Sequence, residues 1–218
     1  EADLDRDASP RARLAYDELL ANQLALELVR RQMKRKAGRV LKGDGRVESK
    51  IRAALPYKLT GAQQQALAEI TADMAASHRM LRLLQGDVGS GKTVVALLAM
   101  AVAVEAGTQA CIMAPTEILA QQHYKAIAPL AEQAGLSCQI ITGRLKGRKR
   151  TEILEQLESG AVDIIVGTHA LFQEDVVFHD LGLAIIDEQH RFGVHQRLAL
   201  SAKGKNGKDG VDVLVMTA

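Results

Sequence analysis

The stretch Gly86-Asp87-Val88-Gly89-Ser90-Gly91-Lys92-Thr93 decides the fold, because it follows an apolar run and opens an apolar helix. It satisfies the phosphate-loop pattern G-x-x-x-x-G-K-[ST] at every fixed position. Glycines let the backbone curl until successive N–H groups point into one concavity, and the helix that follows adds the positive end of its dipole. A polyphosphate fits such a cradle. Lys92 then reaches the β- and γ-phosphates, and the Thr93 hydroxyl supplies one ligand to Mg²⁺. Leu81, Leu83 and Leu84 before the loop and the apolar run 94–104 after it predict the strand and helix that the pattern requires. Gly86, Asp87, Val88, Gly89, Ser90, Gly91, Lys92 and Thr93 are therefore the expected nucleotide contacts, with a nucleoside polyphosphate and Mg²⁺ as the expected cofactors.

Outward from the loop, apolar runs alternate with amphipathic ones. Strands are predicted at 81–85, 110–114, 138–142, 163–168, 183–187 and 213–217. Helices are predicted at 92–106, 117–134 and 148–159, with shorter pieces after Thr168 and Gly193. An earlier helix, led in by Leu55-Pro56-Tyr57-Lys58-Leu59-Thr60, carries Leu67, Ile70 and Met74 on one face. Near-continuous apolar strands joined by helices imply a parallel sheet covered on both faces, an α/β fold in three layers. The C-terminal strand ends of such a sheet share one edge, where ligands bind. Here that edge would gather Gln85, Pro115, Gly143, Thr168, Asp187 and Thr217.

With 218 residues and 47% apolar composition, the chain can bury a core and is read as one α/β domain with an appendage. Its net charge of +2 hides a segregation: residues 1–29 carry three basic and seven acidic groups, whereas residues 30–50 carry nine basic and two acidic. A short basic segment beside a near-neutral domain fits either a polyanion partner or a solvated linker. Cys111 and Cys138 fall in predicted buried strands without a second cysteine at metal-ligand spacing, so both read as core thiols in a reducing compartment. No apolar run reaches the roughly 18 residues needed to span a membrane, and no signal-peptide pattern is present. A cytoplasmic protein without a membrane role is expected. Because Glu1 stands where Met would, the chain is expected to begin inside a longer protein.

The segment before the domain reads as a helix starting at Ser9-Pro10, with serine as cap and proline at the first helical position. Tyr16, Leu20, Leu24 and Leu28 form an apolar stripe, and Arg30, Arg31, Lys34, Arg35 and Lys36 place positive charge where a helix C-terminus favours it. Gly38 is the expected stop, and residues 42–50 read as a linker with a turn at Gly43-Asp44-Gly45. The domain division is accordingly 1–54, a helical basic connector, and 55–218, the α/β domain.

Two further features bear on chemistry. Ile185-Ile186-Asp187-Glu188 is an apolar strand ending in two carboxylates. Asp187, at the strand tip, is placed to hold Mg²⁺ through water, and Glu188 to orient or deprotonate an attacking water. Lys92, Asp187 and Glu188 are thus the expected catalytic residues, and Thr93 and Asp187 the expected metal residues. The stretch 142–150 carries Arg144, Lys146, Arg148, Lys149 and Arg150 directly after a strand, a composition suited to phosphate contacts on a nucleic acid. With 3% aromatics and no tryptophan, base stacking is not expected to dominate, which favours backbone tracking over sequence reading.

The run Asp187-Glu188-Gln189-His190-Arg191-Phe192-Gly193-Val194 resembles the acidic box, with its Arg-Phe-Gly-Val extension, of superfamily-2 DNA translocases. Ala114-Pro115-Thr116-Glu117-Ile118-Leu119-Ala120-Gln121-Gln122-His123 is similar to that superfamily's motif Ia, and Met216-Thr217-Ala218 to the start of its motif III. With Leu59-Thr60-Gly61-Ala62-Gln63 and Gly167-Thr168-His169-Ala170-Leu171, these motifs resemble the RecG family of bacterial ATP-dependent DNA helicases, which remodel branched DNA. The resemblance is strong over 56–218, while 10–50 looks like that family's connector from a DNA-wedge domain.

It implies a RecA-like first motor lobe, with the second lobe outside this chain, so that the chain alone would bind nucleotide with little or no turnover. It also implies that Gln63 reads the adenine edge, that Tyr57 stacks near the base, and that Gln189, His190 and Thr217 couple nucleotide state to DNA movement. Pro115, Thr116, Gln122, Gly143, Thr168 and His169 would join Arg144, Lys146 and Arg148 on DNA. Stalled forks and Holliday junctions would be the substrates of a monomeric repair and recombination enzyme, with single-stranded DNA-binding protein as a further partner. Transcription-repair coupling translocases share the phosphate loop and the Arg-Phe-Gly-Val stretch and are the alternative; Glu117-Ile118 and Gln189 look more like RecG.

Overall fold

The computed structural model describes residues 38–187 and 210–217, apart from the side chain of Phe172. The expected helix from Ser9, the piece after Gly193, and Glu188, Gln189 and His190 lie outside the described residues. Six strands follow the predicted runs to within two residues: β1 (Leu81–Gln85), β2 (Gln109–Met113), β3 (Cys138–Ile141), β4 (Ile164–Gly167), β5 (Leu181–Asp187) and β6 (Asp212–Thr217). They form one sheet in the order β1-β6-β5-β2-β4-β3, and every pairing is parallel.

Alternation along the strands divides the core in two. Ala110, Ile112, Ile164, Val166, Ile185 and Leu214 face one side of the sheet, and Cys111, Met113, Ile165, Ile186, Val213 and Val215 face the other. On the first side lie α1 (Arg46–Ala54), α2 (Gly61–Met74), α3 (Lys92–Glu105) and α4 (Glu117–Ala134), and Leu157 of α5 (Arg148–Ser159) packs on the second. The α/β fold in three layers is the one expected. Val94 to Ala103 of α3 are buried without interruption, as for a helix apolar on all sides. Cys111 and Cys138 are buried and unbridged, and burial pushes the Cys138 thiol up to about 12.

The domain boundary and the linker differ from expectation. Residues 38–54 lie in the same compact unit as the α/β domain, so that unit takes in residues expected to belong to the connector. Leu41 and Ile51 lie in the core, and 46–54, expected as linker up to residue 50 and as connector to 54, is helix α1, packed on α3 and α4. Its cap comes from far along the chain: the Glu105 carboxylate accepts from the amides of Gly45, at 2.9 Å, and Val47. Gly38, the expected helix stop, is tied to the backbone of the α/β unit. Its amide donates to the Ser77 carbonyl at 2.9 Å and it bridges to Gly210, while a Cβ at this position would collide with the His78 backbone. Next to it, Arg39 pairs with the buried Asp180 at 2.5 Å, fastening the start of the unit to the start of β5.

At the sheet edge remote from the phosphate loop, Asp212 is 1% exposed. Its Oδ1 accepts from the Met80 amide at 2.7 Å, while Oδ2 has no hydrogen-bond partner among the described residues. Burial raises its pKa to about 7 against the opposing pull of the Met80 amide. The unfolded chain releases this proton near 3.8 whereas the folded chain holds it to about 7, so the folded state binds more protons between those values. Stability is then fully present below about pH 4 and falls as pH rises towards 7, by up to about 4 kcal/mol. Urea unfolding of Asp212→Asn at pH 5 and pH 8 is expected to show a flatter difference than the parent protein; an identical difference would refute the assignment.

Candidate nucleotide and nucleic-acid site

The 86–93 loop leaves the tip of β1 and enters α3 directly. The Gly86 amide donates to the Thr217 carbonyl at 3.2 Å, which ties the loop to the tip of β6, and the Ser90 amide turns back to the Asp87 carbonyl at 3.1 Å. Gly89 and Gly91 hold φ of 81° and 82°, a region that side chains disfavour. Lys92 and Thr93 occupy the first turn of α3, where amides have no acceptor within the helix and are available to an anion. The Lys92 ammonium lies across the loop and donates to the carbonyls of Gly86 and, at 2.9 Å, Asp87. Asp87, Val88, Gly89 and Ser90 are exposed, with the Val88 side chain at the loop's outer rim.

Beside the loop lies a groove of about 450 Å³, lined by Thr60, Gln63, Gln85, Gly86, Asp87, Ser90, Lys92 and Val95 among others. That volume suits a small-molecule ligand. Positive-φ glycines, the helix N-terminus and the ammonium together fit a polyphosphate, and the Thr93 hydroxyl and Asp187 carboxylate are oxygen donors of the kind Mg²⁺ takes.

Gln63 proves to be a structural strut as well as a candidate ligand. It completes a capping box at the start of α2, its Oε1 accepting from the Thr60 amide at 2.9 Å while its own amide donates to Thr60 Oγ1 at 3.3 Å. Its Nε2 also donates to the Ser90 carbonyl at 2.8 Å, so α2 is bound to the phosphate loop. One amide hydrogen and one lone pair remain for a base edge. Tyr57 is exposed and does not line the groove.

On the β5 side, Asp187 ends the strand with its side chain 11% exposed. His123 Nε2 donates to its Oδ2 at 2.7 Å, and the imidazole is equally sheltered. Sequence reasoning assigned His123 no role. The available signal is its spacing, three after buried Ala120 and four before buried Ile127, which places a polar ring on the packed face of α4.

Along the same edge, Thr116 caps α4 by accepting from the Leu119 amide at 3.3 Å, and Pro115 and Gln122 reach solvent. Glu117, the first residue of α4, receives the Arg144 amide at 3.1 Å and pairs with the Arg144 guanidinium at 2.8 Å. Gly143, Lys146, Arg148 and His169 are exposed, with Arg148 paired to Glu152 on its own helix.

Two expected DNA contacts turn inward. Thr168 is 2% exposed and its hydroxyl caps the short helix His169–Phe172 by accepting from the Ala170 amide, so it positions His169 rather than facing a ligand. Arg150, counted in the basic run, is held by Gln173 and Asp175 at 2.8 Å and braces α5.

The family model for the DEAD/DEAH box helicases matches residues 60–218. The ATP-dependent DNA helicase RecG of Escherichia coli O157:H7 is 47% identical over 218 residues, covering the whole of this chain and 32% of that protein. RecG of Bacillus subtilis strain 168 is 46% identical over 209 residues, 95% of this chain and 30% of the relative. The chain thus spans about a third of the length of these curated relatives. Among solved structures, RecG bound to a three-way DNA junction matches at TM-score 0.82 and 43% identity, over 94% of this chain and 27% of the other. The DEAD-box helicase Mss116 bound to ssRNA and UDP-BeF matches at TM-score 0.64 and 18% identity, over 80% of this chain and 38% of the other, a likeness of fold.

Gly91→Ala tests the loop geometry, because it meets an unfavourable φ and drives a Cβ into the Gln63 amide. We expect it to weaken Mg-ATP binding by about tenfold or more, equivalent to about 1.4 kcal/mol. Gly107→Ala, with φ of 79° but open space around it, should cost only about 1 kcal/mol of stability and leave binding intact. Fluorescent-nucleotide titration of both variants separates the two effects.

Proposed function

The chain belongs to the DEAD/DEAH box helicase family, and from that membership we propose that it forms the nucleotide-binding lobe of an ATP-dependent DNA helicase that remodels branched DNA in recombination and repair. The observation that carries this reading is the coincidence of the phosphate-loop groove with a match over 94% of the chain to RecG bound to a three-way DNA junction.

In this reading the amides of the loop and of the first turn of α3 hold the phosphates, and Lys92 exchanges the carbonyls of Gly86 and Asp87 for the β- and γ-phosphate oxygens. Thr93 and Asp187 would hold Mg²⁺, which supplies charge neutralisation on the phosphates. Glu188 orients the attacking water, and Gln189, His190 and Thr217 pass the state of the site to the DNA track. Support for Thr217 comes from its carbonyl, which accepts the first amide of the loop at 3.2 Å, so strand β6 feels any movement there.

The DNA track runs over Pro115, Thr116, Gln122, Gly143, Arg144, Lys146, Arg148 and His169, with Thr168 as the cap behind His169. Its cations address phosphates, which position DNA without reading sequence. We place the protein in the cytoplasm as a monomer, with single-stranded DNA-binding protein as a further partner; no helix among the described residues is long and apolar enough to cross a membrane.

In the full-length protein, three-way or four-way junction DNA should raise ATP hydrolysis well above the basal rate, and Lys92→Ala should abolish it. Hydrolysis indifferent to DNA would sink the reading. The combined Arg144→Ala, Lys146→Ala and Arg148→Ala variant should reduce the slope of log affinity against log salt by up to about 0.9 for each phosphate no longer neutralised, with nucleotide binding unchanged. Arg150→Ala should instead lower the melting temperature with little effect on that slope.

A further inference from the structure

The hydrogen bond between His123 and Asp187 has no part in the roles assigned above. We propose that His123 is a positioning residue: it fixes the Asp187 carboxylate towards the metal and makes that orientation depend on helix α4, whose N-terminus carries part of the proposed DNA track. The inference rests on the functional reading just given.

The argument begins with the softness of an aspartate. Its terminal torsion is broad, so a carboxylate at a strand tip has no fixed direction unless one oxygen is held. Nε2 of His123 holds Oδ2 at 2.7 Å, which leaves Oδ1 as the oxygen that this bond does not occupy. With both side chains 11% exposed, little water competes for the bond.

The histidine is also costly as a packing residue. It stands in the stripe formed by Ala120, Ile127, Ala128 and Ala131, where an apolar side chain would cover the sheet without needing a partner. Its polar ring is satisfied through Asp187. Groups that hydrogen-bond a metal's ligands orient them, and their loss typically costs about 10–100-fold in metal affinity or activity.

The same helix reaches the DNA side. Seven residues separate His123 from the cap Thr116, about 10 Å along a helix axis. Glu117, next to that cap, holds Arg144 through both its amide and its guanidinium. A shift of α4 when Thr116 and Arg144 take phosphates therefore acts on Asp187 through a single side chain, and linkage requires the reverse effect on DNA affinity to be equal.

The test is binding of a non-hydrolysable ATP analogue to the full-length protein, titrated with Mg²⁺ in the presence and absence of three-way junction DNA. Wild type should bind the analogue more tightly with the junction. His123→Ala should raise the Mg²⁺ concentration for half-saturation about 10–100-fold and abolish the junction's effect, while binding the junction alone as before. His123→Gln, whose amide nitrogen can take the place of Nε2, should recover both properties at least in part.

A His123→Ala protein with unchanged Mg²⁺ dependence, or one that retains the junction's effect, overturns the inference alone. So does a His123→Gln protein that folds but behaves as His123→Ala, because packing rather than the hydrogen bond would then be at work. Failure of the wild type to respond to the junction would instead overturn the functional reading, and this inference with it.

Discussion

Parallel pairing puts β6 between β1 and β5, and that insertion sets the width of the site. Gln85 at the end of β1 pairs with Thr217, and Met216 beside it pairs with Asp187. Two strand spacings, roughly 10 Å, therefore separate the strand that launches the phosphate loop from the strand that ends in the carboxylate. The bond from the Gly86 amide to the Thr217 carbonyl continues the ladder one step beyond the strand. The loop is thereby an extension of the sheet, and its position is as rigid as the core that supports it.

The edge of the sheet also brings opposite charges into working proximity. Arg144 and Arg148 each have a carboxylate partner, Glu117 and Glu152, so their direction is set before any phosphate arrives. Both arginine side chains remain about nine-tenths exposed, and pairs so open to solvent contribute little stability. Their effect is to orient rather than to hold the fold together. Arg150 is different, because its side chain is largely covered and bound twice. One run of basic residues thus divides into members facing solvent and a member bracing the helix.

Much of this was legible in the chain itself. The loop pattern, the strands and helices α2 to α5 followed from local apolar runs and periodicity, and the structure shifts the predicted ends by at most two residues. What escaped depends on partners far apart in sequence. The first half of helix α1 looked like a linker because glycines and lysines dominate its neighbourhood, whereas its cap is Glu105, about sixty residues away. The inward turn of Arg150 requires Asp175, and the polar task of His123 requires Asp187, 64 residues on. Thr168 was expected on DNA through the family resemblance, and a threonine after a strand carries no mark of whether its hydroxyl faces water or the next amide.

Helix α3 is fastened at both ends. It starts at Lys92 in the phosphate loop and finishes at Glu105, whose carboxylate grips the amides of Gly45 and Val47. Fourteen residues make a rod roughly 21 Å long, and its middle is sealed in the core on every side. One uninterrupted element therefore runs from the nucleotide groove to the start of α1, so the turn at 45–47 takes its position from the same helix that shapes the phosphate loop.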